Sequence, residues 1–202
     1  RWDGQLAHCV SFENPCLTLQ ERTDGEKALR RKSYGGKLTL CFTGRLEAAK
    51  GVPQLLEALD RFTADDRIER VHVIGDGPLR SACEEASRAW PFETVFHGSV
   101  SREQVGWIMA ACHMQILPSL AEGFPKVIAE GANYGCIPVV SDISAISQYV
   151  KHGETGFLLR PERLEAGRLG EDLAEMLRRE DLQDIARAAH DMAAAFTFER
   201  YR

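Results

Sequence analysis

From residue 37 onward, short apolar runs of strand length alternate with segments of helical spacing. The runs are KLTLCFTG (37–44), RVHVIGDG (70–77), TVFHGSV (94–100), MQILPS (114–119), IPVVSD (137–142) and GFLL (156–159). They are apolar on both sides, which places them in a parallel sheet covered by helices on both faces. Between them, VPQLLEALDRF (52–62) has helical spacing through Leu55, Leu56 and Leu59. PLRSACEEASRAW (78–90) reads as a helix with Pro78 at its first position, where a missing N–H costs nothing. SREQVGWIMAAC (101–112) is opened by Ser101 with Glu103 in its first turn. FPKVIAEGANYG (124–135) is stopped by Gly135, ISAISQYV (143–150) is a short helix, and two amphipathic helices follow near 165–179 and 181–196. The expected fold is α/β: a doubly wound parallel sheet of about six strands with helices on both faces. Residues 1–36 show little periodicity. Their charged stretch RTDGEKALRRKSYGGK reads as a linker or hinge with room for one short helix, attached to the remnant of a preceding domain. A start at Arg1 rather than Met reads as a piece of something longer.

The 202 residues suit one domain, and 44% hydrophobic residues supply a core. A formal net charge of -5 argues against nucleic acid as a partner, because phosphate backbones call for a basic face. Cys9, Cys16, Cys41, Cys83, Cys112 and Cys136 form no C-x-x-C pair, and several lie in apolar runs. They read as buried reduced thiols and point to the cytoplasm. No apolar run reaches the roughly 18 residues of a membrane span, and no secretory signal is visible.

Parallel α/β sheets bind ligands outside the carboxyl ends of their strands. The loops at those ends are therefore the candidate site: 44–51, 75–78, 98–101, 118–125 and 142–145. In TGRLEAAKG, Arg45 and Lys50 read either as a diphosphate clamp, one a rigid fork and the other a point charge, or as solvated surface charge. VIGDGP fails the G-x-G-x-x-G dinucleotide pattern because position 80 is Arg80. In LPSLAEGFP, Pro125 can start a helix, leaving the backbone N–H groups of Gly123, Phe124, Lys126 and Val127 free for an anion or sugar hydroxyls. Glu122 on the same rim reads as a helix-cap carboxylate or as an acceptor for sugar hydroxyls. On a helical wheel Glu130 shares a side with Val127 and Tyr134, and this places it toward the body of the domain. A buried carboxylate must find a partner. That partner is an internal ion pair, a backbone hydrogen bond or the vicinal hydroxyls of a ribose. Eight helical positions separate the two glutamates by up to about 12 Å. His97 and His113 read as satisfied core histidines. No cluster has metal-ligand spacing, and no G-x-S-x-G is present.

TGRLEAAKG, VIGDGP, FHGSV, ILPSLAEGFPKVIAEGANYGCIPVVSD and HGETGFLL follow one another in the order found in the GT4 group of retaining glycosyltransferases. Over residues 37–200 the chain resembles the nucleotide-sugar-binding C-terminal half of a GT-B enzyme, and the Glu-x7-Glu spacing of Glu122 and Glu130 is that group's hallmark. The resemblance implies that residues 37–202 form the donor-binding domain. Arg45 and Lys50 would neutralise the donor diphosphate and the leaving group. Glu130 would hold the ribose, and Glu122 would contact the donor sugar and stabilise charge near its anomeric carbon. The backbone of Gly123, Phe124, Pro125, Lys126 and Val127 would bind sugar hydroxyls and phosphate, and Val100 would lie by the nucleobase. The implied reaction transfers a sugar from a UDP- or GDP-sugar to a glycan or lipid-linked glycan, with retention and without a bound metal. The acceptor would sit on a missing N-terminal half, which could also touch a membrane, so this chain alone would bind donor weakly and transfer nothing. A non-catalytic nucleotide module, a GT-B phosphorylase and an epimerase are alternatives on the same fold. The sequence departs from the pattern at Pro125, where Gly is common, and at ISAISQYV, which lacks the usual Gly-Gly and has Gln148 in place of Glu.

Overall fold

A computed structural model describes residues 14–64, 66–122 and 126–201. The expected sheet is present among them, with all of its strands parallel: β1 (Leu38–Thr43), β2 (Ile68–Ile74), β3 (Glu93–Gly98), β4 (Met114–Leu117), β5 (Ile137–Ser141) and β6 (Phe157–Leu159). Their order is β3-β2-β1-β4-β5-β6. The helices are α1 (Leu19–Arg31), α2 (Val52–Leu59), α3 (Arg80–Ser87), α4 (Arg102–Ala111), α5 (Lys126–Asn133), α6 (Ile146–Tyr149), α7 (Pro161–Glu165), α8 (Leu169–Leu177) and α9 (Leu182–Ala193). α2 packs on α8, whereas α1, α4, α5 and α9 contact one another in a separate layer. The main core, with Leu40, Phe42, Met114, Ile116 and Val139 fully buried, lies along the central strands. Ala129 and Ala132 of α5 meet Ala189 and Ala193 of α9, and such short side chains let two helices approach closely.

Two expectations change. Pro78 does not open α3, which begins at Arg80; Pro78 belongs to the preceding turn, and Leu79 caps the helix. The short helix allowed for in the linker is longer than expected and spans Leu19–Arg31. It has 13 residues and a capping box, in which Thr18 accepts from the Glu21 N–H at 3.1 Å and Glu21 accepts from the Thr18 N–H at 2.7 Å. The segment before residue 14 lies outside the described residues.

α1 is fastened to its neighbours by polar contacts, since only Gly25 and Leu29 of it are buried. A Cβ at Gly25 would overlap the Asn133 carbonyl, so glycine sets the close approach to α5. The Arg22 guanidinium donates to Asn133 Oδ1 at 2.9 Å and to the His190 carbonyl at 2.8 Å, and Asn133 Nδ2 donates to the Glu21 carbonyl at 2.8 Å. Lys32, which caps α1, reaches two other helix ends. Its ammonium donates to the Met109 carbonyl at 3.0 Å, the Tyr134 carbonyl at 2.6 Å and the Cys112 carbonyl. One cation thus adds a charged donor to carbonyls at two helix ends and opposes the negative dipole ends of both α4 and α5. Replacing Lys32 by Met should lower the unfolding free energy by about 2 kcal/mol, the range for hydrogen bonds to a charged group. Urea denaturation would measure this, and a midpoint equal to that of the wild type would contradict it.

Candidate functional site

The strand order turns around between β1 and β4: the chain proceeds outward from β1 through β2 to β3, then returns to continue from β4 to β6. Such a switch point opens a crevice at the carboxyl ends of the two adjacent strands. The loops that follow β1 and β4 border it and touch through their backbones, as the Leu120 N–H donates to the Ala49 carbonyl at 2.9 Å. A 3-10 turn, Ala48–Lys50, ends at Gly51 with φ 71°. A Cβ there would overlap the Pro118 carbonyl oxygen. Gly51 therefore meets two demands at once, a left-handed backbone and contact with the opposite loop.

This crossing aims Lys50 at Glu122. The ammonium donates to Glu122 Oε1, to which Ser119 Oγ also donates at 3.1 Å, and the side chains of the pair are 28% and 17% exposed. The Ser144 hydroxyl, from the loop after β5, donates to the Glu122 carbonyl. Ser144 has φ 54°, the only positive value outside glycine among the described residues. A cavity of about 200 Å³ lies against the pair, lined by Phe42, Thr43, Gly44, Leu117 and Val127. Thr43 Oγ1 is buried with no hydrogen-bond partner among the described residues. An orphan hydroxyl of this kind is what a bound ligand or an ordered water satisfies.

Arg45 does not stand beside Lys50. Its side chain is 67% exposed and ion-paired with Glu47 at 2.9 Å on the outer lip, while Lys50 lines the cavity. Gly123, Phe124 and Pro125 lie outside the described residues. Lys126 is exposed at the start of α5, Val127 is half-buried on the cavity wall, and the first-turn N–H groups of α5 have no intrahelical acceptor. Val100 is half-buried against the Cys41, Ile74 and Met109 cluster, just before the Ser101 cap of α4.

Glu130 sits at the edge of the inward face that the helical wheel gives it, and it finds one of the expected partners, an ion pair. The residues of α5 that face the body are Ile128, Ala129, Ala132 and Asn133, all buried, whereas Val127, Glu130 and Tyr134 form a half-buried stripe beside them. Glu130 pairs with Arg102 Nη1 at 3.2 Å. Burial pushes its carboxyl above the usual range, with the Arg102 charge opposing and the Glu21 charge reinforcing the rise. Arg102 is itself held by Glu21 Oε1, at 3.1 Å from Nε and 3.0 Å from Nη2, and it donates to the Cys16 carbonyl.

Residues 26–192 match the family described as glycosyl transferases group 1. The chain belongs to this family. It is 27% identical over 145 residues to the alpha-D-kanosaminyltransferase of Streptomyces kanamyceticus, covering 70% of the chain and 38% of that enzyme. Its fold is that of GT-B glycosyltransferases. The pneumococcal O-GlcNAc transferase GtfA, solved with UDP and GlcNAc, matches with a TM-score of 0.69 at 15% identity over 82% of the chain and 34% of its own. Anabaena Alr3699/HepE, solved with UDP and glucose, matches with a TM-score of 0.68 at 21% identity over 90% of the chain and 51% of its own. The chain thus spans about a third to a half of the length of these proteins.

Elsewhere in this glycosyltransferase domain, His113 accepts from the Thr39 N–H at 3.0 Å. Burial, with help from Lys32, lowers its pKa to about 4. His97 shares a 2.8 Å hydrogen bond with His72. Both expected core histidines are therefore partnered. Cys16, Cys41, Cys83, Cys112 and Cys136 are buried free thiols, and Cys9 lies outside the described residues. Sequence reasoning missed Ser119, Ser144 and Arg102; the Ser101 cap beside Arg102 was the nearest signal. Because Gly51 sets the aim of Lys50, Gly51→Ala in this glycosyltransferase domain should lower the melting temperature by about 5 °C or more, from left-handed strain plus steric overlap. Differential scanning calorimetry checks this; an unchanged melting temperature would mean the two loops are not in contact.

Proposed function

We propose that the chain is the donor-binding half of a retaining glycosyltransferase, which transfers a sugar from a UDP- or GDP-sugar to a glycan or lipid-linked glycan acceptor. The observation that carries this reading is the placement of Lys50 and Glu122 on opposite lips of the β1/β4 switch point, beside a cavity of about 200 Å³ and the first turn of α5. A diphosphate entering there meets the Lys50 ammonium and the backbone N–H groups of Lys126 and Val127, each of which favours an anion. Arg45 on the outer lip has a fork able to turn from Glu47 to a phosphate oxygen. As the bond between anomeric carbon and phosphate oxygen breaks, negative charge grows on the departing nucleoside diphosphate, and these groups lie where it develops. They need no metal for that task. Once phosphate takes Lys50, the Glu122 carboxylate is released to accept sugar hydroxyls and to face the positive charge at the anomeric carbon. Glu130, beside the same helix start, accepts the ribose hydroxyls, and Val100 borders the base.

The two solved relatives were captured with UDP and a sugar, which supports this class of donor. The acceptor and the remaining catalytic groups belong, in this reading, to an N-terminal domain that could also contact a membrane; no helix among the described residues is long and apolar enough to cross one. The free buried thiols favour a cytoplasmic protein.

Titration calorimetry with UDP and GDP tests the reading. One nucleotide should bind the 202-residue chain with a weak, micromolar-to-millimolar dissociation constant, and Lys50→Ala and Glu130→Gln should each weaken it about tenfold. Failure of both nucleotides to bind at millimolar concentration, or equal binding by both variants, would overturn the assignment.

A further inference from the structure

We propose that Arg102 is a positioning residue for nucleotide binding: anchored by Glu21 of α1 and the Cys16 carbonyl, it fixes the Glu130 carboxylate in the orientation that receives ribose hydroxyls, making α1 part of the site. The inference rests on the donor-binding reading and names a residue which that reading leaves idle. Three observations carry it. Arg102 is the second residue of the Ser101-capped turn, on a rigid helix rather than a loop. Its guanidinium is saturated on the side away from Glu130: Nε and Nη2 both reach Glu21 Oε1, and Nη2 also reaches the Cys16 carbonyl. Only Nη1 is then left to face Glu130, with which it forms an ion pair at 3.2 Å, the Arg102 side chain being about half exposed. Glu21 is pinned in turn, because its other oxygen accepts from the Thr18 N–H and hydroxyl at 2.7 and 2.8 Å. The result is a relay of fixed geometry from the N-terminus of α1, through α4, to the carboxylate on α5. A guanidinium held in this way cannot follow a ligand away, so it orients the carboxylate without competing for it.

Charge reinforces geometry. The groups facing the Glu130 carboxylate are Arg102 from α4, Glu21 from α1, the Cys16 thiol ahead of α1, and Lys126 and Tyr134 from its own helix. Burial and Glu21 raise its pKa; Arg102 is the largest opposing influence, ahead of Lys126. Without Arg102 the carboxyl would take up a proton at higher pH and could no longer accept from two hydroxyls.

The test is titration of UDP and GDP into wild type, Arg102→Gln, Arg102→Lys and Glu21→Gln at about pH 6 and about pH 8.5, with each affinity taken as a ratio to wild type so that the nucleotide's own titration cancels. Arg102→Gln should bind about tenfold more weakly, and any dependence on pH should make the loss larger at the lower value. Arg102→Lys retains the charge without the fork, so it should show a smaller loss with little dependence on pH. Glu21→Gln should weaken binding although it lies outside any contact with the nucleotide. If Arg102→Gln does not fold, the Lys and Glu21 variants decide: wild-type affinity in both overturns the proposal. Wild-type affinity in Arg102→Gln also overturns it, and so does a loss in Arg102→Lys as large as that in Arg102→Gln. Absence of nucleotide binding by the wild type would overturn the donor reading and this inference with it. Wild-type binding with indifferent Arg102 variants overturns this inference alone.

Discussion

The reversal of strand order between β1 and β4 governs what the rest of the molecule can do. It leaves two neighbouring strands whose connecting helices depart to opposite faces, so no helix covers their carboxyl ends. The loops that line the gap must then satisfy one another. Gly51 lies against Pro118, Ala49 accepts from Leu120, and Lys50 meets Glu122. The pair is largely desolvated, so removing either member alone strands a charge in a poorly solvated place. In the proposed reading, an incoming phosphate would avoid that penalty for Lys50 by replacing one anion with another. Glu122 then needs donors of its own, and Ser119 already supplies one.

The second dependence is on α1. It buries little apolar surface and would be marginal as an isolated helix. Its place is set by directional contacts: Arg22 and Asn133 to α5 and α9, Lys32 to the ends of α4 and α5, Glu21 to Arg102. The contacts made by Arg22, Asn133 and Lys32 satisfy polar groups at buried or half-buried places, where an unmade hydrogen bond costs more than a made one gains. Asn133 illustrates the economy of this arrangement. It is fully buried, yet its amide bonds to α1 from both atoms, and its carbonyl meets His190 Nδ1 at 2.6 Å.

What the sequence makes legible follows from this division. Segments held by apolar burial announce themselves by period, and β1 to β6, α2, α4, α5 and α9 lie close to where the pattern puts them. Gly135, with φ 80°, ends its helix for the reason the sequence suggests. α1 was hidden because its information is polar and local: the Thr18 and Glu21 capping box, with Arg30 and Arg31 in the last turn, carries no apolar stripe. The edge position of Glu130 was hidden because a helical wheel anchored on Val127 and Tyr134 takes half-buried residues for core ones, while Ile128, Ala129 and Ala132 occupy the core. The separation of Arg45 from Lys50 was hidden because loop positions give no direction to side chains. Strand order, and hence which loops face each other, is a long-range property that no local pattern carries.

The two glutamates of α5's approach are held by cations of different character, and the difference bears on how a ligand could be exchanged. Lys50 offers a point charge on a flexible stem, and the contacts that fix its direction come from its own backbone loop. It can turn from carboxylate to phosphate and back with rotation of single bonds. Arg102 offers a planar fork with two of its three nitrogens occupied by Glu21 and the Cys16 carbonyl. Swinging it away would break several charge-assisted bonds at once. The cation beside Glu122 is therefore exchangeable and the one beside Glu130 is fixed. In the proposed reading, such a site would keep a constant grip at one end of a long ligand while the other end is remade during reaction. That asymmetry would suit the proposed transfer, in which the bond to the phosphate breaks while the nucleoside stays in place.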